Sequence, residues 1–148
     1  MYGVSDPATE AAVRAYVKLL RASHAVQMRV EKLLAEAGLT PTQLGVLEAI
    51  LHKGALSQRV LGRLVLTSAG NMTDVVDKLE RRGLVHRARS PTDRRAVQVE
   101  LTPAGRGLIE AVFPRHAADI AVAMGGVAGK DLTRLDGLLK RLGLGAQG

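Results

Sequence analysis

The chain has 148 residues, a formal net charge of +7 and a pI near 10.4, which indicates one domain with a real core and a polyanionic partner. It contains no cysteine, and this excludes disulfide scaffolds, thiol-based sensing and cysteine-ligated zinc. Its aromatic residues are Tyr2, Tyr16 and Phe113, none of which falls in the most basic segment, so a base-stacking platform for single strands or RNA is not expected.

The first predicted element is a long helix from Ser5 to Ala37, closed by Gly38. Ser5-Asp6-Pro7 supplies a cap and then proline at the first helical position, and apolar residues recur at helical spacing after it. No cationic stretch precedes an apolar one, so no signal peptide is expected, and no run is long enough to span a bilayer. We therefore expect a soluble, cytoplasmic protein.

The next segments predict three helices in close succession. Thr40-Pro41-Thr42-Gln43 is a capping box that opens a helix ending near Lys53-Gly54, and Ala55-Leu56 suggests a short strand. Ser57 then caps a third helix through Leu66. Thr67-Ser68 caps a fourth that runs to Arg82 with Met72, Val75, Val76 and Leu79 inward. The region from 57 to 82 has the dimensions of a helix-turn-helix.

After Gly83 the apolar period changes from helical to alternating. Leu84 to Arg89 predicts one strand and Val97 to Leu101 another, joined by the loop residues Ser90-Pro91-Thr92-Asp93. Between Lys78 and Arg95 lie seven cations and two acids, a net +5 in eighteen residues. A helix followed by a basic hairpin fits duplex DNA, since a helix enters the major groove while a cationic loop reaches the adjacent backbone or minor groove.

Two further helices are predicted at the C-terminal end. Thr102-Pro103 starts the fifth, in which Pro114 should cause a bend or a break, and Gly125 to Gly129 forms a loop. Leucines at helical spacing from Leu132 to Leu142 define the sixth. Both ends of the chain are thus helical and apolar, and a monomer would expose them, so we expect a second copy to cover them.

Several motifs carry a family resemblance when taken in order. They are Leu44-Gly45-Val46-Leu47, Leu56-Ser57-Gln58-Arg59-Val60-Leu61, Lys78-Leu79-Glu80-Arg81-Arg82-Gly83-Leu84-Val85, Asp93-Arg94-Arg95 and Leu101-Thr102-Pro103-Ala104-Gly105. The chain resembles the multiple-antibiotic-resistance regulator (MarR) family of bacterial winged-helix repressors from about Val13 to Leu142. Lys53 to Leu56 and Thr67 to Thr73 look most like its quinone- and hydroquinone-responsive branch.

The resemblance implies a homodimer that binds a pseudo-palindromic operator near a promoter and is often released by small phenolic or aromatic acids. Without cysteine, any signal must bind non-covalently. The expected fold is mainly α, an α+β winged helix-turn-helix with about six helices and a small antiparallel wing. We expect one domain over 1–148, with a DNA-binding lobe at 40–101 and a helical dimerisation region from 5–37 and 103–143.

The candidate DNA-binding residues lie at the fronts of two helices and along the wing. They are Ser57, Gln58, Arg59, Ser68, Gly70, Asn71, Thr73, Lys78, Arg87, Arg89, Arg94 and Arg95. Ordinary capping competes as an explanation for Ser57 and Ser68, and Arg87 and Arg89 either meet phosphates or decorate the strand. Arg94 is expected in the minor groove, whose negative potential favours a guanidinium, while Asp93 and Arg95 are expected to brace the hairpin through a salt bridge.

Family precedent places a ligand crevice between the dimerisation helices and the DNA module. Its candidate residues are Tyr16, His24, Met28 and His52, although Tyr16 and Met28 also suit a core or interface. The histidines have no metal-binding spacing and no serine–histidine or carboxylate pair suggests catalysis, so no metal, cofactor or enzymatic activity is expected. The leading hypothesis is a repressor. An architectural DNA-binding protein and a helical ligand-binding protein or enzyme remain alternatives.

Overall fold

The computed structural model describes Gly3, residues 5–65, Thr67 and residues 69–147, with Ala69 described by its backbone alone. Within these residues there are six helices and three strands. Their bounds are α1 Pro7–Glu36, α2 Pro41–Lys53, β1 Leu56–Ser57, α3 Gln58–Leu64, α4 Ala69–Arg81, β2 Val85–Arg89, β3 Val97–Leu101, α5 Pro103–Ala123 and α6 Lys130–Ala146. The predicted fold class and the order of the elements are confirmed. The predicted helical stretch through Leu66 ends at Leu64, and Leu66 itself lies outside the described residues.

Local signals explain where several helices begin. The Asp6 carboxylate accepts from the Thr9 amide at 2.9 Å just before α1, as the predicted cap requires. At α2 the predicted capping box is present, since Thr40 Oγ1 accepts from the Gln43 amide and Gln43 Oε1 accepts from the Thr40 amide, both at 3.1 Å. Thr102 caps α5 by accepting from the Gly105 amide at 3.0 Å. These ends are set by short-range hydrogen bonds.

The chain divides into two compact units, residues 31–117 and residues up to 30 together with those from 118. In the 31–117 unit, β3 lies between β1 and β2, with both pairings antiparallel. Its core is formed by apolar side chains of α2, α3, α4, the sheet and α5. Those with almost no exposed surface are Leu47, Leu61, Met72, Leu79, Ile109, Val46, Val76, Val85 and Val99. The inward residues predicted for α4 are therefore confirmed.

The other unit contains most of α1, the last residues of α5, and the whole of α6. No residue of α6 is buried, and its leucines remain open, with Leu138 and Leu142 each 53% exposed. None of the helices in the described part of the chain is long and apolar enough to cross a membrane. The division of 1–148 into a dimerisation region and a DNA-binding lobe stays a prediction.

Of the bend or break predicted at Pro114, the break is wrong, because α5 runs through this residue from Pro103 to Ala123, and the bend stays a prediction. A proline removes one backbone donor, which leaves the carbonyl four residues earlier without its helical partner. That carbonyl belongs to Glu110, and both Glu110 and Pro114 are exposed. Water can therefore satisfy the freed oxygen, and the helix continues.

Candidate nucleic-acid interface

The front of α4 presents polar residues to solvent. Gly70, Asn71 and Thr73 are exposed, and a β-carbon added at Gly70 would meet nothing within 4 Å. The Asn71 amide nitrogen donates to the Thr67 hydroxyl, so both residues help to order the start of the helix. Ser68, which was expected to contact DNA, lies outside the described residues. The first turns of α4 therefore offer an open, polar surface of the kind that enters a major groove.

The hairpin of β2 and β3 is the wing, and its tip is the loop of residues 90–96. Short backbone turns build this tip. The Ser90 amide donates to the Ala96 carbonyl at 2.9 Å, and the Ala96 amide donates to the Asp93 carbonyl at 3.1 Å. Arg89 reaches across the loop, its Nη1 donating to the Arg94 carbonyl at 3.2 Å. These bonds shape the loop so that the side chains at its tip stand outside the hairpin.

The predicted salt bridge between Asp93 and Arg95 is wrong. The Asp93 carboxylate accepts instead from the backbone amide of Arg95, at 3.0 Å, in a local turn that needs no guanidinium. Among the residues that the structure describes, no ion pair involves Arg94 or Arg95, and both are exposed. The tip thus carries two exposed cations outside any ion pair among the described residues, where the sequence predicted one such cation and a salt bridge.

The N-terminus of α3 lies beside α4. Ser57 Oγ accepts from the Val60 amide at 3.2 Å, which makes it an N-cap, and Arg59 is exposed. Gln58 is directed toward α4, its Nε2 donating to Thr73 Oγ1 at 3.1 Å. Contacts of Ser57, Gln58 and Arg59 with DNA stay predictions.

Arg87 has surroundings that the sequence did not predict. Its guanidinium donates to Gln58 of α3 and to Asp77 and Glu80 of α4, and its side chain is only 25% exposed. Strand alternation gave a signal that could have found this, since Arg87 lies two residues from the buried Val85 on the same face of β2. Its predicted phosphate contact is untested.

Two other cations of the basic segment differ in their surroundings. Lys78 is exposed on α4 and stays a predicted DNA contact. Arg82, just beyond the end of α4, donates through Nη1 to the Gly38 carbonyl at 2.7 Å. Gly38 has a φ of 71°, a left-handed conformation that favours glycine, and it turns this carbonyl toward Arg82. Some cations of the basic segment are therefore held by hydrogen bonds within the protein, and others are exposed to solvent.

A cavity of about 370 Å³ lies against α2 in the same unit. Its lining includes three charged or titratable side chains and several apolar ones: Pro41, Thr42, Gly45, Glu48, Ala49, His52, Lys53, Leu64 and Val65. Of the predicted ligand residues, only His52 lines it. His52 Nδ1 lies 2.9 Å from the Glu48 carbonyl, and its ring meets Phe113 edge-on with the centroids 5.5 Å apart.

Phe113 also contacts His116, whose Nδ1 is buried and has no hydrogen-bond partner among the described residues. Tyr16, His24 and Met28 lie on the part of α1 that belongs to the other unit, and all three are exposed. They stay predicted ligand residues. No three histidine, aspartate or glutamate residues in the described ranges are grouped closely enough to hold a metal ion.

Comparison with known proteins agrees with this geometry. The sequence model of the MarR family matches residues 37–96. The HTH-type transcriptional regulator MhqR of Bacillus subtilis is 36% identical over 139 residues, which cover 94% of this chain and 96% of MhqR. The chain therefore belongs to the MarR family of DNA-binding transcriptional regulators.

Solved structures show the same fold. AbsC, a MarR family transcriptional regulator from Streptomyces coelicolor, superposes with a TM-score of 0.84 at 24% identity, covering 98% of both chains. BpsR of Bordetella bronchiseptica, described with a mechanism for regulation of its DNA binding by 6-hydroxynicotinic acid, gives a TM-score of 0.79 at 27% identity. That match covers 88% of this chain and 98% of BpsR.

Proposed function

We propose that the protein is a homodimeric repressor that reads a pseudo-palindromic operator with α4 and the wing. The single observation that carries this proposal is the wing tip, where Arg94 and Arg95 are exposed in a hairpin of the same compact unit as the polar front of α4. In this arrangement α4 enters the major groove and Arg94 enters the flanking minor groove. Because its proposed partner is operator DNA, the protein would act in the cytoplasm.

The second copy is supported by α6, which has open leucines and no buried residue. A stable protein rarely leaves such a face in water, and a two-fold axis sets two recognition helices about one DNA turn apart. Light scattering on the purified protein is expected to give the mass of a dimer. A monomer at micromolar concentration would contradict this part of the proposal.

A footprint on the DNA around the gene tests operator reading. We expect protection of one pseudo-palindrome of about 16–20 bp, with half-sites one turn apart. Uniform coverage at all sequences would favour an architectural protein. Absence of any salt-sensitive binding to duplex DNA would favour a ligand-binding protein or enzyme with an incidental basic hairpin.

We propose further that a small phenolic or aromatic acid releases the operator by entering the cavity against α2. Its volume suits a single-ring ligand, and His52 and Lys53 offer polar groups beside apolar walls. The resemblance to the quinone- and hydroquinone-responsive branch points the same way.

Calorimetry with 4-hydroxybenzoate and hydroquinone tests the effector. We expect saturable binding that is lost in His52→Ala, and a reduction in operator affinity of about 5- to 150-fold when the ligand is bound. The variants Tyr16→Phe and Met28→Leu test whether the predicted α1 residues, and not the cavity, bind the ligand. Binding that persists in His52→Ala would place the effector elsewhere, and no binding of either compound would remove these probes as effectors.

A further inference from the structure

The side chain of Arg87 joins three elements of the DNA-binding unit. Nε donates to Gln58 Oε1 at 2.9 Å, Nη1 to Glu80 Oε1 at 2.9 Å and Nη2 to Asp77 Oδ1 at 2.7 Å. The backbone amide of Arg87 also donates to Glu80 Oε2, at 2.9 Å. One residue of β2 is thus bonded to the start of α3 and to two successive turns of α4.

The charge of Arg87 is already compensated within this cluster. Two carboxylates, Asp77 and Glu80, lie within ion-pair distance of its guanidinium. To contact a DNA phosphate, Arg87 would have to exchange these charge-assisted bonds for new ones, with no gain in the number of paired charges. Arg94 and Arg95, which have no ion pair among the described residues, carry no such cost.

Arg87 also determines which end of the Gln58 amide faces α4. The Nε–H group of Arg87 requires an acceptor, so the Gln58 oxygen turns toward it and the Gln58 nitrogen turns toward Thr73 Oγ1, 3.1 Å away. The reverse orientation would bring two donors face to face. Thr73 is exposed near the front of α4, where base edges are read.

We propose that Arg87 is a positioning residue for operator recognition: it holds α4, the start of α3 and the wing strand in one arrangement without neutralising a phosphate. This inference rests on the proposed reading of duplex DNA by α4 and the wing. It replaces phosphate contact by Arg87 with an indirect role through Gln58, Asp77 and Glu80.

Salt dependence separates a positioning residue from a phosphate contact. Each phosphate contact adds about 0.9 to the slope of log K against log salt concentration. We expect Arg87→Met to weaken operator binding by roughly tenfold or more, since charge-assisted hydrogen bonds contribute on that scale, with the slope unchanged. Arg94→Ala, the matched loss of an exposed cation, is expected to reduce the slope by about 0.9.

The ratio of operator affinity to random-duplex affinity separates positioning from plain stabilisation. We expect this ratio to fall in Arg87→Met and in Gln58→Met at a temperature where both are folded by circular dichroism. In the double variant this ratio should fall no further than in the more strongly affected single variant, because Arg87 acts partly through Gln58. Gln58→Met keeps both ion pairs of Arg87, so it decides the question if Arg87→Met fails to fold.

Three results would overturn the inference: a slope that falls in Arg87→Met as it does in Arg94→Ala, an unchanged ratio in Gln58→Met, or fully additive losses in the double variant. Each of these leaves operator binding by the wild-type protein intact. Failure of the proposed function would instead appear as a wild-type protein that does not distinguish operator from random duplex.

Discussion

The backbone of Gly105 lies against the carbonyl group of Leu84, so closely that a β-carbon on Gly105 would stand 1.9 Å from the Leu84 oxygen. Around this contact, Thr102 Oγ1 donates to the Gly83 carbonyl at 2.6 Å and the Thr102 amide donates to the Leu84 carbonyl at 3.1 Å. The start of α5 is thereby fixed to the turn that connects the recognition helix to the wing.

Gly105→Ala is expected to destabilise the protein by about 1–3 kcal/mol, because the backbone of the turn must move to admit a methyl group. Thermal unfolding measures the effect. Gly107→Ala in the same helix is a matched control, since a β-carbon there would meet nothing within 4 Å. It should be neutral or stabilising by up to about 1 kcal/mol. Equal melting temperatures for the two variants would contradict the packing described.

Arg94→Ala is expected to weaken operator binding with little change in melting temperature, because the side chain is exposed and Arg89 bonds to the backbone carbonyl of Arg94, which alanine keeps. Fluorescence anisotropy with labelled operator gives the affinity. Arg106→Ala on α5 removes the same charge from an exposed side chain outside the wing and should bind as wild type does. Wild-type affinity in Arg94→Ala would refute the wing assignment.

Replacing Leu138 and Leu142 together by glutamate should convert the dimer to monomers and weaken operator binding. Both side chains are 53% exposed on α6, and charges placed there would be buried without partners in a dimer interface. Light scattering and operator titration should change together. Lys140→Glu alters charge on the same helix without touching the leucines and should remain dimeric. A dimeric double variant would place the interface elsewhere.

The first turn of α1 should show a pH-dependent cap. The Thr9 hydroxyl, and then the Thr9 amide, donate to the Asp6 carboxylate and hold its pKa below the ordinary value of 3.8. The folded state thus favours the ionised form. The contribution is complete above the ordinary pKa and is lost as the pH falls through the lower folded-state value.

Thr9→Ala removes the hydroxyl donor and should move the Asp6 pKa back toward its ordinary value. Carbon-detected NMR titration of the Asp6 carboxyl measures this, with Thr133→Ala on α6 as the control. An Asp6 pKa that does not rise in Thr9→Ala would show that the hydroxyl bond is absent in solution.

Several features that depend on near neighbours in the chain were predictable from sequence. The capping box at Thr40 and Gln43 closes over three residues, and the inward side of α4 follows from helical spacing. The basic hairpin was likewise evident from its alternation. For these elements the local signals and the tertiary structure agree.

Other features were not predictable, because they depend on tertiary contacts, on the choice between competing local donors or on exposure to solvent. The partners of Arg87 come from residues seven to twenty-nine positions away, so its charge alone suggested a DNA contact. Asp93 and Arg95 were expected to form an ion pair, but the backbone amide of Arg95 is the nearer donor to that carboxylate. Pro114 was expected to bend or break α5, and the helix is unbroken because the carbonyl that loses its helical partner belongs to the exposed Glu110.

The hydrogen bond from Arg82 to the Gly38 carbonyl ties the C-terminal end of α4 to the turn between α1 and α2. A rod of 13 residues is about 20 Å long, so a tilt of a few degrees about that end shifts its leading end by about 1 Å. Val65, in the segment before that leading end, lines the cavity and also stands 2.9 Å from where a β-carbon on Gly45 would be. If the proposed guest displaces Val65, we expect the resulting tilt of α4 to be largest at its leading end, at Gly70 and Asn71, because the other end is tied to Gly38.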